Sequence, residues 1–168
     1  MMAVTHAPSD LVVATSDGIE IRFGGVVLET APPFVGLHAG EPGIHVQLTG
    51  VRGPETQRRD SQLDRQRQAW VERRQSAGPG SAGPPPDMPG VSVLERVAAQ
   101  LSDDAGTLYR RAGGSMAGDG MDWEALWVFV PEPPPAATAL RLDFTVDGKP
   151  TGRHCTVALG LPDGLKES

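Results

Sequence analysis

Hydrophobic side chains between Trp123 and Val130 fall on both sides of a two-residue repeat. Trp123, Ala125, Trp127 and Phe129 lie on one side, and Leu126, Val128 and Val130 on the other. A strand that is apolar on both faces belongs inside a core. Beyond Pro131, which stops the ladder, Leu140, Leu142, Phe144 and Val146 alternate with Arg141, Asp143, Thr145 and Asp147, the pattern of a strand with one face buried and one wet. The N-terminal part repeats this code. Leu11 to Thr15 is a short apolar run closed by the turn residues Ser16, Asp17 and Gly18. Ile19, Ile21 and Phe23 then alternate with Glu20 and Arg22, and Gly24-Gly25 interrupts the period before Val26 to Glu29 resumes it, which predicts a bulge or bend. Ile44, Val46 and Leu48 against His45, Gln47 and Thr49 give a further strand, and Cys155, Val157 and Leu159 a last one after the Asp147-Gly148 hairpin signal.

The period changes between residues 54 and 75. Pro54 suits a first helical position, Glu55 suits the first turn, and no Gly or Pro follows until the helix is over. Leu63 and Trp70 share a face with few apolar companions, so this helix can dock on a surface and cannot build a core. Residues 76–90, SAGPGSAGPPPDMPG, read as a flexible stretch and a polyproline spacer. Residues 54–90 are therefore one insertion between strands, expected to be removable, and its exposed helix is the expected partner contact through Arg58, Leu63, Arg65, Trp70 and Arg73. Trp70 is expected to tuck against the strands. Residues 91–102 fit either a helix or a strand by periodicity. The turn residues Asp103 to Gly106, with Thr107 and Tyr109 as a returning arm, favour a strand and a hairpin. Residues 112–120, AGGSMAGDG, read as a long glycine loop.

With 168 residues the chain suits one domain, residues 1–168, that buries roughly 70% of its unfolded surface. Its 21 glycines and 16 prolines mean that loops carry much of the length. A net charge of −6 argues against broad attraction to nucleic acid or to anionic membranes. The single cysteine, Cys155, precludes an intrachain disulfide and a thiolate metal cluster. With neither a basic leader nor an apolar stretch of membrane-spanning length, the chain is expected to be cytoplasmic.

Candidate chemistry is sparse. His6, His38, His45 and His154 could ligate a metal with Cys155, yet no spacing supports it. His154 and Cys155 are neighbours on a strand and so point to opposite faces, against a Cys-His nucleophilic pair. Asp103, Asp104, Asp119 and Asp122 crowd two loops that could hold calcium, but turn chemistry accounts for acids at such positions and no EF-hand pattern is present. The glycine run lacks the Lys-Ser/Thr ending of a phosphate cradle. The insertion helix carries six arginines and four acids. Glu55 with Arg59 and Asp64 with Arg67 stand at helical pairing distances, so a solvated face is preferred to a nucleic-acid site. No cofactor is expected.

The stretch DDAGTLYRRAGG followed by DWEALWVFVPEPPPAATALRLDF resembles a pattern in uncharacterised actinobacterial proteins with an immunoglobulin-like β-sandwich. Asp103, Asp104, Gly106, Thr107 and Tyr109 stand in its hairpin. Trp127, Phe129 and Pro131 stand in its W-x-F-x-P strand, and Pro135, Ala137 and Leu140 in its P-x-A-x-x-L strand. The resemblance covers about residues 94–146, implies that fold and tips residues 94–102 toward strand. It brings no activity and no catalytic residue. The expected architecture is thus all-β, a single immunoglobulin-like sandwich of about seven strands with a helical, Pro/Gly-rich insertion. The expected role is a noncatalytic interaction module for a protein partner or a second copy. An enzyme of unidentified class, or nucleic-acid binding through the arginines of the insertion helix, are the alternatives.

Overall fold

Two Asp-Gly turns frame the chain. In a computed structural model, which describes residues 3–8, 11–30, 42–78, 80, 82–119 and 122–160, Asp17-Gly18 and Asp147-Gly148 all have positive φ, from 50° to 79°. That is the conformation of the tight two-residue hairpin turn, in which glycine has no steric cost. The first turn joins β2 (Val12–Ser16) to β3 (Ile19–Thr30), and the second joins β8 (Ala139–Val146) to β9 (Lys149–Gly160). The remaining strands are β1 (Ala3–His6), β4 (Pro42–Gly50), β5 (Val97–Asp103), β6 (Arg110–Asp119) and β7 (Asp122–Val130). Two antiparallel sheets result, in the orders β1-β9-β8-β5 and β2-β3-β4-β7-β6. Nine strands are thus described, against about seven expected from the sequence.

The inner faces of the two sheets share one hydrophobic core. Register places Ile44, Val46 and Leu48 of β4 opposite Phe129, Trp127 and Ala125 of β7, and all six are buried. From the other sheet come Leu140, Leu142 and Phe144 of β8 with Cys155, Val157 and Leu159 of β9. Phe23 meets Phe144 between the sheets at a ring separation of 6.2 Å, tilted by 60°. Both faces of β7 are buried, since Val128 and Val130 on its other side are as inaccessible as Trp127. The Gly24-Gly25 interruption is a register shift between Phe23 and Gly25 in the β3–β4 ladder, with Gly25 at φ 120°.

The insertion helix is α1 (Pro54–Ala77). Its first turn is closed by Thr56, whose hydroxyl accepts from Gly53 N–H and donates to Gly53 C=O, both at 2.9 Å. Two side chains fasten it inward: Leu63 is buried, and Asp60 accepts the indole N–H of Trp123 at 3.1 Å. The segment 76–90 was expected to be a flexible spacer; of its described residues, Gly83 accepts from Trp70 Nε1 at 3.0 Å and Ala82 is buried. Among the described residues no helix is long and apolar enough to cross a membrane.

Three expectations need correction. Residues 91–102 are neither all strand nor all helix. A second helix, α2 (Pro89–Leu94), precedes β5, and the insertion boundary at residue 90 cuts through it. Pro89 suits its first turn, and the neighbours Val93 and Leu94 both need burial, which one helical turn against the core provides and an alternating strand does not. Ser16 Oγ donates to Val93 C=O at 3.0 Å and so satisfies a carbonyl at the helix end. The hairpin expected around residues 103–106 does not form, because β5 pairs with β8 while the chain after Asp103 crosses to the other sheet. Asp103 redirects it by accepting the backbone N–H groups of Ala105 (2.9 Å) and Thr107 (3.0 Å). The expected glycine loop at 112–120 is strand β6 as far as Asp119. Its Gly114 lies opposite Trp127, and a Cβ there would collide first with the Leu126 carbonyl oxygen and then with the Trp127 indole at 2.6 Å, so glycine is what lets the strand approach the β7 backbone and that ring.

Candidate binding surface

The crossing that begins at Asp103 delivers the chain to the free edge of the five-stranded sheet. Tyr109 donates its hydroxyl to Asp103 Oδ2 at 2.6 Å, and Asp104 accepts from both the backbone N–H (2.8 Å) and the hydroxyl of Thr138. Partial burial opposes ionisation of Asp103, but hydrogen bonds from Thr107, Tyr109 and the N–H groups of Thr107 and Ala105 outweigh it and hold the pKa at about 2. The same contact, added to burial, raises the pKa of Tyr109. Both aspartates are therefore structural acceptors that fix the entry to β6. The side chains of Asp119 and Asp122 lie outside the described residues, although the backbone register sets the two directly opposite each other.

Beyond this lock the chain presents Leu108, 91% exposed, and then β6 itself. β6 is hydrogen-bonded to β7 on one side and ends the sheet on the other. With 10 residues it is the longest of the four edge strands, the others being β1 with 4, β2 with 5 and β5 with 7. Such an edge presents unpaired N–H and C=O groups to whatever strand comes alongside. On its inner side α2 lies against β6 and β7, and Arg111 covers the Trp127 ring. Sequence reading missed this edge because the glycines looked like a loop. It missed Leu108 because a returning hairpin arm would have paired that segment.

The insertion residues are dispersed. Leu63 is buried within the chain rather than offered outward. Trp70 is half-buried, held by Gly83 and overlain by Arg74 at 5.4 Å, so it packs on its own linker where packing on the sheets was expected. Arg58 and Arg59 both bind Glu55, at 2.7 and 2.9 Å, which pulls Glu55 down to about pKa 2. Arg65 and Arg73 are exposed. A network missed by sequence reading ties the two Asp-Gly turns together, with Arg96 bonded to Asp147 and Asp17, and Arg59 approaching Asp17 at 3.9 Å.

The described histidines stand on three different strands, His6 on β1, His45 on β4 and His154 on β9. His6 and His154 are exposed, His45 is buried, and His38 lies outside the described residues. His45 lines a cleft of about 450 Å³ on the outer face of the five-stranded sheet with Val27, Gln47, Ser115, Glu124 and Leu126. Register puts His45 opposite Val128, four residues along β7 from Glu124. That spacing is about 13 Å, beyond the reach of a hydrogen bond between the two side chains. His154 is opposite Asp143, which is engaged by Arg141 at 3.1 Å. Cys155 is buried, and burial, followed by the Asp143 charge, pushes its thiol up to about 11, the reverse of an activated nucleophile. Among the described residues no group of three or more His, Cys, Asp or Glu could hold a metal ion. No protein-family model, curated protein or solved structure matches this chain.

Proposed function

We propose that this protein is a noncatalytic β-sandwich module that binds another protein chain through the free edge of β6. The observation that carries this reading is the edge itself, the longest among the described residues, with Leu108 exposed at its entry. Acidic groups of the kind a hydrolase would use are already occupied, Asp103 by Tyr109 and two backbone N–H groups and Asp104 by Thr138. Two antiparallel sheets layered over one core support an immunoglobulin-like reading of the sandwich, while the strand order differs from the ABED and CFG order of antibody constant domains. The lone buried thiol suits a cytoplasmic setting. α1 remains a secondary contact through Arg65 and Arg73, on a helix otherwise committed to internal pairs.

A photo-crosslinking residue at position 115 tests the reading in native lysate, with one at position 15 on the β2 edge as the control. Position 115 should capture a discrete protein species that position 15 does not. Equal labelling at both positions, or none at 115, would refute it.

A further inference from the structure

We infer that the chain paired along β6 carries a lysine or arginine whose side chain crosses the edge strand to reach Glu124 on β7. The inference rests on the reading of β6 as a binding edge and adds the chemistry of what binds there. The cleft of about 450 Å³ on the outer face of the sheet is lined by Ser115 and Met116 of β6 as well as by Glu124 and Leu126 of β7, so it opens onto the edge. Opposed residues of paired strands share a face of the sheet. Partner residues set opposite Ser115 and Ala117 therefore stand on the face that holds the cleft, and the one opposite Ala117 falls in the same row as Glu124.

The walls of the cleft select a long side chain with a cationic head. Val27, 53% exposed, and Leu126, half-buried, supply apolar surface. Glu124 is exposed and is the one carboxylate among the described lining residues, which include no lysine or arginine. Other acids of this chain are held by arginines: Glu55 by Arg58 and Arg59, Asp17 and Asp147 by Arg96, and Asp143 by Arg141. Glu124 has no such contact among the described residues, and on its own row Thr49 separates it from Arg22, two strands away. Neighbouring strands are about 4.8 Å apart, which puts an added strand about 10 Å from β7. A lysine or arginine closes that gap together with the Glu124 side chain, laying its methylene stem on apolar surface and its charge against the carboxylate, whereas a short polar residue stops at β6. The net charge of −6 attracts a cation-bearing partner in the same sense.

Panning a random seven-residue peptide library against the full chain tests this. The selected peptides should share a lysine or arginine at one position, and selection against Glu124→Lys should replace it by an acid. A selected peptide, made synthetically, should bind Glu124→Gln about fivefold more weakly and Glu124→Lys about tenfold or more. Glu72→Lys, on the exposed face of α1, makes the same change in net charge and should stay within about twofold of the parent. Circular dichroism confirms that each variant is folded. Hydrogen exchange with the peptide bound should protect amides between Gly113 and Gly118. Peptides without a basic position, a basic preference unmoved by Glu124→Lys, or equal weakening by Glu72→Lys would overturn the inference. If the peptides protect β6 but show no charge preference, the inference fails and the edge reading stands. If a basic preference follows Glu124 while the β6 amides stay unprotected, the edge reading fails and the inference with it. If no peptide is selected, both fall.

Discussion

The guanidinium carbon of Arg111 stands 3.7 Å from the ring centroid of Trp127. One is a partly exposed side chain of the edge strand and the other is fully buried in the core, so their contact is where the free edge of β6 is braced. Burial lowers the pKa of Arg111, and the electron-rich face of the indole compensates part of that desolvation. Replacing Arg111 by Ala should destabilise the fold by about 1–2 kcal/mol in a urea melt followed by tryptophan fluorescence. A change within a few tenths of a kcal/mol would mean that the stacking carries no weight.

Trp127 distinguishes shape from hydrogen bonding. Its Nε1 has no hydrogen-bond partner, so Trp127→Phe removes an unsatisfied buried donor along with some volume. Trp127→Ala, like Phe129→Ala, should cost about 3–5 kcal/mol, and Trp127→Phe clearly less than half of that. Equal losses for Ala and Phe in denaturant melts would point to a partner on the indole N–H.

Gly114 is the residue that admits the Trp127 ring beside β6. A methyl group there would crowd Cε3 at 2.6 Å and push the strand outward. Gly114→Ala is expected to destabilise by about 1–3 kcal/mol. A variant as stable as the parent would show that the edge is loosely held.

The Asp103 lock predicts a pH dependence with a definite sign. Its carboxyl ionises at about 2 in the folded chain, below the ordinary 3.8, so the folded state favours the ionised form. Its stabilisation is complete above pH 3.8 and is lost as pH falls through about 2. Asp103→Asn should flatten the stability profile between those limits, measured by urea melts at each pH. A profile as steep as the parent's would assign the acid sensitivity to other carboxylates.

How far the sequence foretold this structure depends on which force dominated locally. Strands β3, β4, β8 and β9 were legible from their two-residue alternation, and β2 as a short apolar run closed by the Asp17-Gly18 turn. Helix α1 was legible from Pro54 and the uninterrupted polar run. Helix α2 was hidden because six residues are too few for a period, and its cause is tertiary, the burial of Val93 and Leu94 together. β6 was hidden because glycine signals a loop by propensity, whereas Gly114 answers a packing demand set by the Leu126 carbonyl and the Trp127 ring on the next strand. The hairpin error arose at Asp103, whose side chain bends the backbone in a way that turn composition alone does not distinguish from a hairpin. The free edge at β6 follows from the sheet order and from no motif.

The insertion can be shortened but not at the boundary the sequence suggested. Replacing residues 54–86 by a short Gly-Ser link keeps α2 and should leave a folded protein, at a loss of about 1–3 kcal/mol for the buried Leu63 and the Asp60 contact to Trp123. Extending the deletion through Leu94 removes core residues and should abolish cooperative unfolding. Equal stability of the two deletions would contradict the placement of Val93 and Leu94.

Amide hydrogen exchange with and without the protein captured at position 115 tests the β6 edge most directly. The account predicts that amides between Gly113 and Gly118 slow when that protein is added, while those of β1, β2 and β5 exchange at unchanged rates. Exchange in β6 that is indifferent to the added protein, or protection that appears on another edge instead, would contradict it.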